Sequence, residues 1–184
     1  MSNAPQRLLL LCKHSGERNL ALDQACYLLR KYLKRPWGLL ALSGGLLSNI
    51  NVLENLWLIP SWQNNQSSTE ILTNLQSILS QLNINEQNAA KLLAARPANL
   101  SNTETRVALL LRALLLSPEI LLIDHDWFLG LKQVDRDLYQ RALPLLAHCD
   151  WWVFSDDIEA PSNDAAWSTQ DALIFLAEQI PSSS

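Results

Sequence analysis

The sequence predicts one α/β domain with a mostly parallel sheet, and three observations support this prediction. Short apolar segments of strand length alternate with longer segments of helical periodicity. The chain has 184 residues, of which 48% are hydrophobic, so it can bury the core of a single domain. No apolar stretch reaches the ~20 residues that a transmembrane helix requires. We therefore expect a single soluble domain over residues 1–184, without direct membrane insertion.

The net charge argues about the partners of the chain, and the cysteine content about the compartment in which it works. The chain has 14 Lys and Arg against 18 Asp and Glu, a formal net charge of -4, which argues against nucleic acid because phosphate binding needs a basic face. Cys12, Cys26 and Cys149 form an odd set without metal-ligand spacing. Free thiols of this kind are typical of a reducing cytosol, so we expect a cytoplasmic protein.

The first part of the chain predicts two strands and two helices. Arg7–Cys12 and Trp37–Leu42 are short apolar segments typical of buried strands. Between them, Leu20–Leu33 has apolar residues at helical spacing and basic residues near its end. Asn51 can cap a further helix, which we expect to stop near Pro60.

The remaining segments continue the alternation. Ser67–Leu82 and Glu86–Ala95 are amphipathic and predict a helical insert, so that a small helical subdomain covers about 52–100. The last predicted elements are a helix from Ser101 or Thr103 to Leu116, a strand at Ile120–Asp124, a helix at Val134–Ala147 and a strand at Trp151–Phe154.

Two segments have the order and spacing of sequence motifs. Gly38–Asn55 ends in Val52-Leu-Glu-Asn55, and Leu100–Asp124 contains Arg-Val-Ala, Arg-Ala-Leu, a proline and Leu-Leu-Ile-Asp in that order. Both resemble the ATPase domains of ABC transporters. The first is similar to the Q-loop region, especially in Mla/MCE-type lipid transport systems, and the second to the signature motif, its helix and the Walker B motif. The resemblance covers about Gly38–Asp157 and implies a truncated P-loop fold of the ABC ATPase type.

The Walker A motif of that family is missing. It requires G-x-x-x-x-G-K-[ST], whose backbone N–H groups cradle the phosphates while its lysine neutralises their charge. None of the five glycines precedes a lysine. Ser15–Asn19 could be a decayed P-loop, since it follows an apolar strand and precedes a helix. We favour the alternative that the P-loop unit is deleted, because Leu28–Arg35 resembles the basic segment that leads into the Q-loop strand.

The other motif positions are altered. The resemblance puts Leu42 where the family has the strand-end glutamine, which touches Mg²⁺ and the attacking water, and leucine has no polar atom for that role. Asp124 keeps the Walker B aspartate, but His125 follows it where the family has the glutamate that activates water. Asp156 takes the place of the switch histidine.

The signature motif is altered as well. The family's L-S-G-G-Q becomes Leu100, Ser101, Asn102, Thr103 and Glu104, which puts side chains where paired glycines let the backbone approach a γ-phosphate. Phosphoryl transfer needs the phosphate cradle, the metal and the water-positioning group together. We therefore expect no catalytic residue and no binding of ATP or Mg²⁺.

The resemblance implies a role in docking. Val52, Asn55, Trp57 and Trp62 lie in the segment that, in the family, receives a short helix of the permease. We expect an accessory pseudo-ATPase subunit of an MCE/Mla-type lipid transporter, held at the inner membrane by a permease or an intact ABC ATPase subunit. A weak or partner-complemented ATPase and a free-standing regulatory module remain as alternatives.

Three local interpretations accompany this hypothesis. Without Mg²⁺, Asp124 must be hydrogen-bonded, and we expect loop N–H groups or hydroxyls to serve, with His125 as a possible partner. Asp124-His125-Asp126 could instead indicate a metal site, and His148-Cys149-Asp150 an activated thiol. Trp127-Phe128 suits either a permanent interface or the core.

Overall fold

The computed structural model describes residues 5–33, 35–42, 45–63, 66–157 and 168–179. The polar start Met1–Gln6 and the Pro181–Ser184 tail have the composition of frayed chain ends; residues 1–4 and the whole tail lie outside the described residues. The side chain of Trp62 is also outside the description, although its backbone belongs to a helix.

In the described part of the chain, five parallel strands form one sheet in the order β2-β3-β4-β1-β5. The strands are β1 (Arg7–Leu11), β2 (Trp37–Leu40), β3 (Ile120–Asp124), β4 (Asp150–Ser155) and β5 (Ser168–Asp171). This result confirms the predicted parallel sheet and the α/β class.

Helices cover both faces of the sheet. They are α1 (Ser15–Leu28), α2 (Val52–Gln63), α3 (Ser68–Gln81), α4 (Glu86–Ala94), α5 (Asn102–Leu116), α6 (His125–Val134), α7 (Arg136–Leu145) and α8 (Ala172–Glu178). A π-helical turn (Leu29–Leu33) extends α1, and a short 3-10 helix (Pro97–Asn99) precedes α5. Among the described residues, no helix is long and apolar enough to cross a membrane.

Alternating side chains of the central strands explain the two cores. Leu9 of β1 and Val153 of β4 belong to one buried cluster with α5, α6 and the helices of the predicted subdomain. Leu8, Leu10 and Phe154 belong to a second cluster with α1 and α8. Successive side chains of a strand point to opposite faces, so a strand that is buried on both faces has apolar residues along its whole sequence.

One predicted boundary was wrong, and three elements were not predicted. The helix after Asn51 does not stop near Pro60, which lies inside α2. The helix predicted from Val134 is preceded by a separate helix, α6, which begins directly after β3 at His125. Strand β5 and helix α8 were not predicted, because β5 is short and polar.

A strand–helix unit before β2 favours the decayed P-loop over the predicted deletion of the P-loop unit. A P-loop connects a strand to a following helix, and β1, a connection of three residues and α1 form such a unit here. Ser15–Asn19 lies inside the first turn and a half of α1. The connection in this unit is much shorter than the eight-residue motif that cradles phosphates.

Candidate functional site

The candidate site lies where β1, β3 and β4 end. In open parallel sheets, ligands bind outside the carboxyl ends of the strands. Asp124 of β3 is level with Phe154 of β4, which is level with Leu10 of β1. The residues that follow these three strands therefore meet at one edge of the sheet.

Arg18 occupies the centre of this edge. Its guanidinium forms ion pairs with Asp124 (Nε to Oδ1, 3.4 Å), Asp126 (Nη2 to Oδ2, 2.5 Å) and Asp156 (Nη1 to Oδ1, 2.6 Å). The Arg18 side chain is 7% exposed and that of Asp124 is 10% exposed, whereas Asp156 is 33% and Asp126 60% exposed. We call these four residues the Arg18 cluster.

One cation is shared by three anions in this cluster, so two negative charges stay uncompensated. Burial alone would lower the pKa of Arg18, but the neighbouring carboxylates raise it above its ordinary value. Burial raises the pKa of Asp124, and the guanidinium of Arg18 offsets only part of that effect, since Asp126 repels the same carboxylate. The two shifts have opposite meanings: three carboxylates favour the charged form of Arg18, whereas burial outweighs the one cation at Asp124 and disfavours its charged form.

Hydrogen bonds complete the environment of Asp124. It is the N-cap of α6, and its Oδ1 accepts a hydrogen bond from the N–H of Asp126 at 3.0 Å. The predicted backbone hydrogen bond is present, but its donor belongs to the first turn of α6 and not to a loop. His125 is not its partner.

His125 pairs with Ser155 instead. Its Nδ1 lies 2.7 Å from the Ser155 Oγ, which also accepts a hydrogen bond from the N–H of Asp157 at 2.9 Å. Burial lowers the pKa of His125, so the imidazole is neutral at pH 7. A buried neutral histidine held by a serine links the ends of β3 and β4 and is poorly placed to activate water.

The short connection between β1 and α1 has its own cap. His14 is the N-cap of α1, and its Nδ1 accepts a hydrogen bond from the N–H of Glu17 at 3.2 Å. A helix N-terminus attracts anions through its free N–H groups and its dipole. At α1, side chains of the chain itself, including the acidic Glu17, take this place.

The altered signature motif starts a helix. Ser101 and Glu104 form a capping box at α5: the Ser101 Oγ accepts from the Glu104 N–H at 3.2 Å, and Glu104 Oε2 accepts from the Ser101 N–H at 2.9 Å. Asn102 and Thr103 form the first turn between them, and Leu100 precedes it. The S-x-x-E spacing was readable from the sequence as a cap.

Two of the predicted docking residues cannot contact a partner directly. Val52 is buried in the core. Asn55 is buried and holds its own loop, since its Oδ1 accepts from the Leu47 N–H at 2.6 Å and its Nδ2 donates to the carbonyl of Leu47 at 3.0 Å. Trp57 is half-buried, and Leu42 is exposed just beyond β2. Val52 and Asn55 therefore shape this region and do not form its surface.

Two further interpretations are settled by burial. Trp127 and Phe128 are both in the core, so the interface hypothesis for them is wrong. Cys149 is buried and burial raises its thiol pKa to about 11, which excludes an activated nucleophile even though His148 Nε2 lies 3.4 Å away. No group of three or more His, Cys, Asp or Glu in the described part of the chain could hold a metal ion.

Sequence reasoning missed the residue at the centre of the site. Arg18 had no motif to mark it, and its partners lie more than 100 positions further along the chain. It also missed Arg106, whose Nε donates to the Trp127 carbonyl at 3.3 Å and which packs over Gly130, joining α5 to α6. The sequence marks Arg18 only by its place near the start of a helix that follows an apolar strand.

The fold is that of ABC transporter ATPase domains. An ATP-binding subunit of an ABC transporter has 16% sequence identity and a TM-score of 0.58, with 83% of this chain and 69% of that chain covered. MJ0796, a bacterial ABC transporter cassette with a dimeric structure, has 17% identity and a TM-score of 0.59, with 85% and 77% covered. No protein-family model matches the sequence, and no curated protein matches it either. At this identity, the similarity establishes the fold.

Proposed function

We propose that this protein is a pseudo-ATPase: an ABC ATPase-like subunit that neither binds nor hydrolyses ATP and that acts by docking to other proteins. The Arg18 cluster is the observation that carries the proposal. Arg18 fills the edge of the sheet at the ends of β1, β3 and β4, where this class of fold takes its ligand.

Charge and space at this edge both oppose a nucleotide. A triphosphate would meet Asp126 and Asp156, and the guanidinium of Arg18 is already shared among three carboxylates. The three-residue connection before α1 offers few N–H groups for a phosphate, and its helix end is capped. Mg²⁺ would have to displace Arg18 from Asp124. Neither ATP nor Mg²⁺ is therefore expected as a cofactor.

A docking role is supported by what the chain retains. The loop before α2 is fixed by the buried side chain of Asn55, and α2 packs against α5 as part of the helical subdomain. We infer that the partner is the permease or an intact ATPase subunit of an MCE/Mla-type lipid transporter, at the cytoplasmic face of the inner membrane. This assignment rests on the sequence resemblance of Gly38–Asn55.

Calorimetric titration with Mg·ATP tests the proposal that the protein does not bind or hydrolyse ATP. We expect no heat of binding and no phosphate release at millimolar nucleotide, which corresponds to a binding free energy weaker than about -4 kcal/mol. Arg18→Ala is the matched variant: it removes the guanidinium but supplies no phosphate cradle, so it should not bind nucleotide either. A micromolar Kd, or phosphate release that Asp124→Asn abolishes, would contradict the proposal.

Co-purification from native membranes tests the docking role. Trp57→Ala should weaken association with the membrane partner by about 1–3 kcal/mol if the ring is covered there. The thermal unfolding of the isolated variant serves as its control, because Trp57 is half-buried. Unchanged association in a folded variant would remove Trp57 from the docking surface.

A further inference from the structure

Arg112 on α5 is a mostly buried cation without a counter-ion. Arg7, Arg18 and Arg106 are also at least partly buried, and each donates to a carbonyl or a carboxylate. Among the described residues, Arg112 has no hydrogen bond and no ion pair. Burial lowers its pKa below the ordinary value, and no acidic group opposes that effect. Such a group is costly unless something pairs with it.

Arg112 faces the connection between β2 and α2. Leu109 and Arg112 are three residues apart and so share one side of α5. Both meet Gly45: a Cβ at Gly45 would lie 2.3 Å from the Leu109 Cδ2 and 3.3 Å from the Arg112 Nη2. The absence of a side chain at Gly45 therefore lets the backbone pass close to the guanidinium.

The same connection exposes two leucines. Leu42 is 36% exposed and Leu47 is 55% exposed. The loop that carries Leu47 is fixed, since the Asn55 side chain binds both the N–H and the carbonyl of Leu47. Among the described residues, an unpaired cation thus lies beside Gly45, in the connection that carries both exposed leucines.

We propose that Arg112 is the anchor of a docking surface formed by Leu42, Gly45 and Leu47, and that it binds a carboxylate of a partner protein segment whose neighbouring side chains are apolar. This inference rests on the docking role proposed above and names the chemistry of its partner. The unpaired cation implies a carboxylate on the partner, and the exposed leucines imply that the partner's side chains next to this carboxylate are apolar.

Two other occupants fit the surface less well. A small anion would pair with Arg112 but would leave both leucines in water. An anionic membrane surface attracts clusters of basic residues, and residues 41–51 contain no lysine or arginine. A protein segment with a carboxylate between apolar side chains can pair with Arg112 and also cover both leucines.

Thermal unfolding of the purified full chain tests whether Arg112 is unpaired. Arg112→Met keeps the length of the side chain and removes the charge, so it should raise the melting temperature by about 2–4 °C. Arg136→Met changes an exposed arginine and should leave the melting temperature unchanged. A lower melting temperature for Arg112→Met would mean that the chain itself already neutralises the guanidinium, and it would overturn the proposal.

Photo-crosslinking in cells that make the protein tests the partner. A benzoylphenylalanine at the exposed position of Leu47 should crosslink to a segment that carries Asp or Glu between apolar residues, identified by mass spectrometry. Arg112→Glu should reduce this crosslink at least about tenfold, and Arg136→Glu should not. Exchanging the partner's carboxylate for arginine should restore the crosslink to Arg112→Glu.

The outcomes separate this inference from the proposed function. A crosslinked segment without an acidic residue, a crosslink insensitive to Arg112→Glu, or no crosslink at Leu47 would each refute the anchor and leave the silent nucleotide site untouched. An acidic segment from a protein that is not part of a transporter would support the anchor and refute the transporter assignment.

Discussion

Arg18→Met is the substitution that most directly tests the cluster at the strand ends. It removes the guanidinium and leaves Asp124, which is 10% exposed, without its cation. Breaking a buried ion pair by removing one partner costs about 3–5 kcal/mol. Asp126 and Asp156 are exposed enough for water to take over part of the role of Arg18. We therefore expect the lower end of that range, about 3 kcal/mol.

Urea unfolding at pH 7 measures this loss, with thermal unfolding as a second readout. For a chain of this length, about 3 kcal/mol corresponds to a fall in melting temperature of about 6–12 °C. Arg30→Met is the matched control, because Arg30 is an exposed arginine in the π-helical turn that extends α1. Its effect should stay within about 0.5 kcal/mol.

The double variant Arg18→Met with Asp124→Asn tests whether the lost stability comes from the carboxylate of Asp124. If the loss comes from an uncompensated carboxylate at Asp124, the second change should recover most of it, which a double-mutant cycle measures. The loss should also shrink as the pH falls, since burial raises the pKa of Asp124 and protonation removes the stranded charge. A loss below about 1 kcal/mol, or one that neither Asp124→Asn nor acid reduces, would refute the argument.

Three further predictions concern residues around the site. Ser101→Ala removes the cap of α5 and should cost about 0.5–2 kcal/mol in urea unfolding; no loss would mean that the capping box is not formed in solution. Asn55→Leu leaves the backbone groups of Leu47 unpaired and should cost about 1–3 kcal/mol and speed hydrogen exchange in that loop, whereas unchanged exchange would contradict its role. Because burial lowers the pKa of His125, the unfolded chain takes up its proton first, and stability should fall as the pH drops below about 6.5. His125→Gln should flatten that part of the stability profile, and an unchanged slope would exclude His125 as its source.

Much of the fold could be predicted from the sequence, because burial on both faces leaves a simple pattern. Arg7–Leu11, Ile120–Asp124 and Asp150–Ser155 are apolar over most of their length, and the helices between them have helical periodicity. The amphipathic segments α3 and α4 were found for the same reason. Strand β5 escaped, since its four exposed residues have no apolar pattern.

The candidate site could be predicted only in part. Asp124 and Asp156 were found because they match motif positions next to strands. Arg18 was not, because its role depends on a tertiary arrangement that brings α1 to the ends of β3 and β4. The orientation of Asn55 was likewise invisible: its motif position suggested a surface contact, whereas its amide binds the preceding loop.

The charges at the strand-end edge are arranged as a set of side-chain anions around one cation. Helices α1 and α6 begin at this edge, and the positive ends of their dipoles favour negative charge there. Glu17 lies in the first turn of α1, and Asp124 and Asp126 lie at the start of α6, so side chains already supply that charge. Three carboxylates converging at one place would repel each other, and the guanidinium of Arg18 lies between them. On the proposed function, these side chains take the place of the anions and the cation that a nucleotide and its metal bring to this edge in an active ATPase.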